Sequence, residues 1–120
     1  MNYFIAWFLF IVKHFVVDFL LQRKYQYHNK GVYGHPGGIL HAFLHGLFTG
    51  IIVYIISPDA TIPCAWFDFM IHYHIDYVKT RVNNYYELTS SNDKFWLLLG
   101  LDQCLHYLTY WVILFLLYGV

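Results

Sequence analysis

Four apolar stretches each carry two metal-type side chains spaced four residues apart, and no other feature restricts the folds open to this chain so tightly. The pairs are His14 and Asp18, His41 and His45, His72 and Asp76, and Asp102 and His106. Residues at i and i+4 stand one above the other on a helix face. Each stretch, read as a helix, therefore presents its pair in one direction and apolar side chains in the others. A helix built that way turns its polar face inward.

The stretches approach the roughly 20 residues a spanning helix needs. They run over about 3–21, 39–56, 62–78 and 95–118, with Pro36-Gly37-Gly38 and Ser57-Pro58 as breakers between them. Only 12% of the 120 residues are charged, where a soluble domain carries about a quarter. The expected fold class is all-α: a polytopic membrane four-helix bundle of up-down topology in one transmembrane domain. The formal net charge is zero, which gives no footing for a nucleic-acid partner. The N-terminal stretch lacks a basic leader and a cleavage pattern and reads as a retained span. Cys64 and Cys104 fall at different depths, so no disulfide is expected.

Loop charge orients the chain. Arg23, Lys24 and Lys30 follow the first span, Lys79, Arg81 and Lys94 follow the third, and the loop between the second and third offers only Asp59. Excess Lys and Arg mark the cytoplasmic side, which puts both termini on the non-cytoplasmic side. The expected location is the bacterial inner membrane, with membrane lipids as neighbours.

In that topology the four pairs share one depth. They lie late in the two descending spans and early in the two ascending ones, in the cytoplasmic leaflet. An Asp near the bilayer centre costs about 2.5–3.5 kcal/mol on insertion scales, and three close carboxylates also repel one another. Shared cations remove both penalties. Five imidazoles and three carboxylates suit zinc, with manganese or iron as alternatives, and eight ligands exceed one tetrahedral ion. Two divalent ions are therefore expected. The alternative is a metal-free network in which His and Asp satisfy each other.

Further residues extend this reading. Asp68 precedes His72 by four and is the candidate general base, with a ninth ligand, a hydrogen-bond acceptor behind a ligand, or a partner for a neighbouring helix as alternatives. Gln22 and Gln103 suit hydrogen bonds that orient a ligand. Arg23, Lys24, Lys79 and Arg81 lie just cytoplasmic of the layer, placed to touch a phosphate or lipid headgroups. Gly38, Ala42, Gly46 and Gly50 form a small-residue stripe for close helix packing.

The order His14-x-x-x-Asp18 with Gln22, His41-x-x-x-His45, His72-x-x-x-Asp76 with Lys79, and Asp102-Gln103-x-x-His106 resembles a family of small integral membrane proteins from phages and bacteria, a domain of unknown function. The resemblance covers nearly the whole chain and implies no activity. More distantly, the His-x-x-x-Asp pairs look like those of membrane-bound metal-dependent hydrolases, and like the zinc sites of zinc-dependent phospholipase C and P1-type nucleases. That likeness implies phosphoester chemistry.

The leading functional expectation is a membrane-embedded, metal-dependent hydrolase, zinc its first candidate, acting on a phosphoester or lipid-linked substrate at the cytoplasmic leaflet. The alternative is a metal-stabilised scaffold or interaction protein, with a second copy or a host membrane protein as partner. A metal transporter comes third, because Phe4–Val12 and Ile113–Tyr118 offer no polar stations across the outer half. A ferritin-like site needs several Glu, and Glu87 is the single one, outside the spans.

Overall fold

The Asn2 side chain accepts the Phe4 amide at 2.8 Å and starts the first helix at Tyr3. This helix, α1 (Tyr3–Phe15), runs directly into a π-helical segment, Val16–Leu21. A one-turn helix, α2 (Lys24–Tyr27), follows. His35 then caps α3 (Pro36–Ile56): its Nδ1 accepts the Gly37 amide at 3.0 Å, with Pro36 in the first turn where its missing N–H costs nothing. A 3₁₀ turn, Pro58–Ala60, leads into α4 (Thr61–Tyr85). The last helix, α5 (Asp93–Tyr118), stops at Gly119, which takes the left-handed conformation glycine favours. The computed structural model describes residues 1–119, and these contain helices, turns and loops but no strand.

Three helices are long and apolar enough to cross a membrane: Tyr3–Leu21, Pro36–Ile56 and Asp93–Tyr118. The expected span 62–78 lies inside α4. This helix is of comparable length, but Asp68, His72, His74, Asp76, Lys79 and Arg81 keep its hydropathy below theirs. The expected start at 39 moves back to Pro36, because Pro36-Gly37-Gly38 forms the first turn rather than a break. Large apolar side chains point outward along all four long helices, among them Phe8 at 62%, Ile55 at 63%, Trp66 at 63% and Leu116 at 71% exposure. Apolar surface this continuous suits lipid and not water.

The long helices meet as neighbours: α1 packs on α3 and α5, and α4 packs on α3 and α5. The α3–α4 contact is the most extensive. Its cause is the small-residue stripe. A Cβ on Gly46 would stand 2.7 Å from the Ala65 carbonyl oxygen and 2.9 Å from Phe69 Cβ, so only glycine lets the two backbones come this close. Near the termini the interior is apolar: Ala6, Phe10, Ile52, Val53, Cys64, Ile113 and Leu114 pack together. There Tyr118 donates to the Met1 carbonyl at 2.8 Å and ties the two ends. Cys64 and Cys104 are both free thiols, as expected.

Candidate metal centre

The inner stripes of the four long helices turn polar in the half remote from the termini. The tier nearest the loops holds Asp18, His41, Asp76 and Asp102, and the next holds His14, His45, His72 and His106. This follows from i, i+4 spacing on helices of alternating direction. The eight residues expected as ligands share this layer; six of them have ligand atoms close enough to share an ion, and His14 and Asp102 lie beside those sets. All but Asp18 are buried, and the Asp18 side chain is only 12% exposed. Asp18 is carried on the π-helical segment, an irregularity common at functional sites.

The five imidazoles present the same atom. His41 and His45 Nε2 lie 3.1 and 2.9 Å from Asp18 Oδ1, and His14 Nε2 lies 3.0 Å from Asp18 Oδ2. Across the layer, His41 and His72 Nε2 each lie 3.4 Å from Asp76 Oδ2 and 3.3 Å from each other. His106 Nε2 is 3.3 Å from Asp76 Oδ1 and 3.5 Å from Asp102 Oδ1. Two sets have ligand atoms close enough to share an ion: Asp18, His41, His45 and His72, and His72, Asp76 and His106.

These spacings fit a metal. Ligands about 2.0–2.1 Å from a tetrahedral zinc stand about 3.3–3.4 Å from one another. The triangle of His41 Nε2, His72 Nε2 and Asp76 Oδ2, with sides of 3.3, 3.4 and 3.4 Å, has the size of one face of that tetrahedron. Asp102 Oδ1 is buried and lacks a directed hydrogen bond, an expensive state for a carboxylate oxygen in a protein interior; Asp76 Oδ2 also lacks one and is met by the Lys30 ammonium at 2.8 Å. His72 belongs to both sets but has one Nε2 to give. The carboxylates supply the remaining connection. Asp18 turns Oδ1 to His41 and His45 and Oδ2 to His14, while Asp76 turns Oδ2 to His41 and His72 and Oδ1 to His106.

A family model described as "Protein of unknown function (DUF3307)" matches residues 6–119. The chain belongs to this family. No curated protein and no solved structure matches it. All eight ligand candidates of this DUF3307 chain lie within the matched stretch.

A third tier, toward the apolar half, backs the imidazoles. Lys13 Nζ reaches Asp68 Oδ2 at 2.6 Å, the His45 carbonyl at 3.1 Å and His45 Nδ1 at 3.3 Å, and Thr49 donates to the same Asp68 oxygen at 2.6 Å. The Tyr110 hydroxyl lies 2.8 Å from His14 Nδ1 and 3.4 Å from His45 Nδ1, and the Lys13 ammonium sits 4.4 Å above its ring centre. Asp68, the residue expected as general base, holds Lys13 and Thr49 through Oδ2, while its buried Oδ1 has no hydrogen bond. Gln103 Oε1 lies 2.9 Å from His14 Nε2, and its amide donates to Asp102 Oδ2 at 3.2 Å. Gln22 donates to the Asp18 backbone carbonyl at 2.9 Å.

Arg23, Lys24 and Arg81 are exposed and Lys79 is half-buried. Arg81 lines a groove of about 300 Å³ with Tyr77, Val78, Val82, Tyr85 and Tyr86, at the loop end of α4.

Lys13, Thr49, Tyr110 and Lys30 also belong to the site, beyond the residues that the ligand spacing marks. Thr49 and Tyr110 extend the stripes of His45 and His106 by one helical turn, a signal that was there to use. Lys13 inside an apolar run called for a partner. Lys30, whose Nζ lies 2.8 Å from Asp76 Oδ2, comes from a loop and carried no pattern at all.

Proposed function

We propose that the chain is a four-helix, up-down transmembrane bundle with both termini on the non-cytoplasmic side of a bacterial inner membrane. In this reading α4 crosses with the other three, its polar face covered by its neighbours. The polar layer holds two divalent ions, with zinc favoured by the donor set. The centre works as a hydrolase on a phosphoester or lipid-linked substrate at the cytoplasmic leaflet.

One observation carries the reading: Asp18 and Asp76 each divide their two oxygens between different imidazoles. A site that serves only as a staple needs four ligands around each ion and gains nothing from carboxylates joined to two groups. A two-ion hydrolytic centre needs its ions held close together, and shared carboxylates do that. Bound divalent ions would supply water activated at neutral pH and polarise a phosphoryl oxygen. The chain's own groups then have defined parts. Asp18 and Asp76 fix the spacing, the five imidazoles converge through Nε2, and the Lys13–Asp68–Thr49 tier holds His45 from behind. Gln103 donates to Asp102, Tyr110 orients His14 through Nδ1, and Arg23, Lys24, Lys79 and Arg81 offer charge to a headgroup outside the layer.

The second reading, a metal-stabilised scaffold, draws support from burial. Seven of the eight ligand candidates are buried, and neither the Arg81 groove nor an apolar groove between α3 and α4, lined by Phe43, Leu47 and Trp66, includes them. The two readings separate in one experiment. Purified protein in detergent is loaded with zinc and assayed on a chromogenic phosphodiester and on a fluorescent phospholipid. Turnover that disappears with chelator, returns with zinc and is missing in Asp76→Asn supports the hydrolase. Stoichiometric zinc without turnover, with a melting temperature that falls on chelation, favours the scaffold. Unchanged metal content in His72→Ala and Asp76→Ala would remove the basis of both.

A further inference from the structure

Lys30 stands where a cation is wanted. Its ammonium meets Asp76 Oδ2 at 2.8 Å, the same oxygen that completes the ligand triangle with His41 and His72. The contact is one of charge and not of direction, since that oxygen has no well-aligned hydrogen bond. The Lys30 side chain is 11% exposed although it belongs to the loop between α2 and α3. It therefore reaches from the loop surface into the ligand layer.

The loop is docked and not loose. The Gly34 amide donates to the Tyr73 hydroxyl at 2.6 Å, and the Tyr33 hydroxyl lies 3.0 Å from His74 Nε2. The Tyr33 ring meets the rings of Tyr73 and Tyr77 edge-on, with centroids 5.5 and 5.1 Å apart. Gly37 lies so close to the Tyr25 backbone carbonyl that a Cβ there would collide with it. These contacts hold the loop against α3 and α4 at the mouth of the polar layer.

We propose that Lys30 is a tethered substitute for the divalent cation: it neutralises Asp76 when metal is absent and is expelled when metal binds. The inference rests on the metal-binding part of the proposed function and not on hydrolysis. An ion bound to Asp76 Oδ2 at about 2.0–2.2 Å would lie within about 5 Å of an ammonium 2.8 Å from that oxygen. Like charges so close in a buried site repel strongly, and one carboxylate oxygen does not serve both. Metal entry then proceeds from the loop end, with Lys30 leaving as the ion arrives. The opposite side is closed by a second ammonium, that of Lys13, which the His45 carbonyl and Asp68, itself held by Thr49, keep in place. Lys13 has nowhere to go, whereas Lys30 has a loop to carry it out.

The test is a zinc titration of detergent-solubilised protein against a chromophoric chelator, with wild type, Lys30→Met and Lys30→Arg side by side. Removing the competing charge is expected to tighten zinc binding in Lys30→Met by about tenfold or more, and Lys30→Arg is expected to stay close to wild type. A second readout needs no variant: zinc loading of wild type is expected to accelerate hydrogen exchange across residues 23–35, the Gly34 amide included. Zinc binding in Lys30→Met that is unchanged or weaker would overturn the proposal, as would slower or unaltered loop exchange on loading. Wild type that binds no zinc would overturn the metal centre itself, and the exchange of cations with it.

Discussion

The two halves of the interior are built on the same four helices and differ in what holds them together. Near the termini, Phe10, Val53, Ile113 and Leu114 interlock without a polar atom among their side chains. At the loop end the same stripes carry eight His and Asp side chains, and two lysines flank them, Lys13 on one side and Lys30 on the other. In lipid the apolar half gains little from hydrophobicity, because the surroundings are equally apolar, and depends on close packing. The polar half is held by charge that no longer faces water. It should be sensitive to single atoms, whereas the apolar half should be sensitive to volume.

Breaking the charge pairing should have the largest effect. Asp68→Ala leaves the Lys13 ammonium buried without its partner, and is expected to cost about 3–5 kcal/mol, read as a lower unfolding temperature in micelles. The double change Lys13→Met with Asp68→Leu, which removes both charges, should recover most of that loss. Leu114→Ala in the apolar half is expected to cost about 2–5 kcal/mol by leaving a cavity, with zinc content unchanged. A loss of zinc in Leu114→Ala would show that the halves are not separable. Tyr110→Phe keeps the ring that packs on Phe10 but removes the hydroxyl between His14 and His45. It should weaken zinc about 10–100-fold in a chelator competition and cost about 1–3 kcal/mol of stability. Phe8→Leu, on the lipid-facing side, should stay within about 0.5 kcal/mol of wild type and marks the baseline.

Much of the polar half was legible before any coordinates. The i, i+4 pairs fix the direction of each side chain, and the reversal of each helix sets their common level. His14, Asp18, His41, His45, His72, Asp76, Asp102 and His106 could therefore be brought together from spacing alone. The Gly46 contact with α4 was likewise visible as a small-residue stripe. What could not be read depends on partners far apart in the chain or on irregular backbone. Lys13 and Asp68 are 55 residues apart, and neither names the other. The π-helical turn that carries Asp18 has no local composition signal. Lys30 enters the layer from a loop that Tyr33 and Gly34 dock on α4, a tertiary event that no periodicity records. The role of α4 was the most exposed expectation, since the residues that give this helix its polar inner face also lower its hydropathy below that of its neighbours.

The central claim is that imidazole and carboxylate groups share cations in one layer, and zinc-edge X-ray absorption of the zinc-loaded protein tests it most directly. The account predicts two ions per chain in a shell of only nitrogen and oxygen at about 2.0–2.2 Å, with outer-shell imidazole scattering, and a lower zinc content in Asp76→Ala. A sulfur shell at about 2.3 Å, pointing to Cys64 or Cys104, or a zinc-saturated preparation that retains no ion, would contradict it.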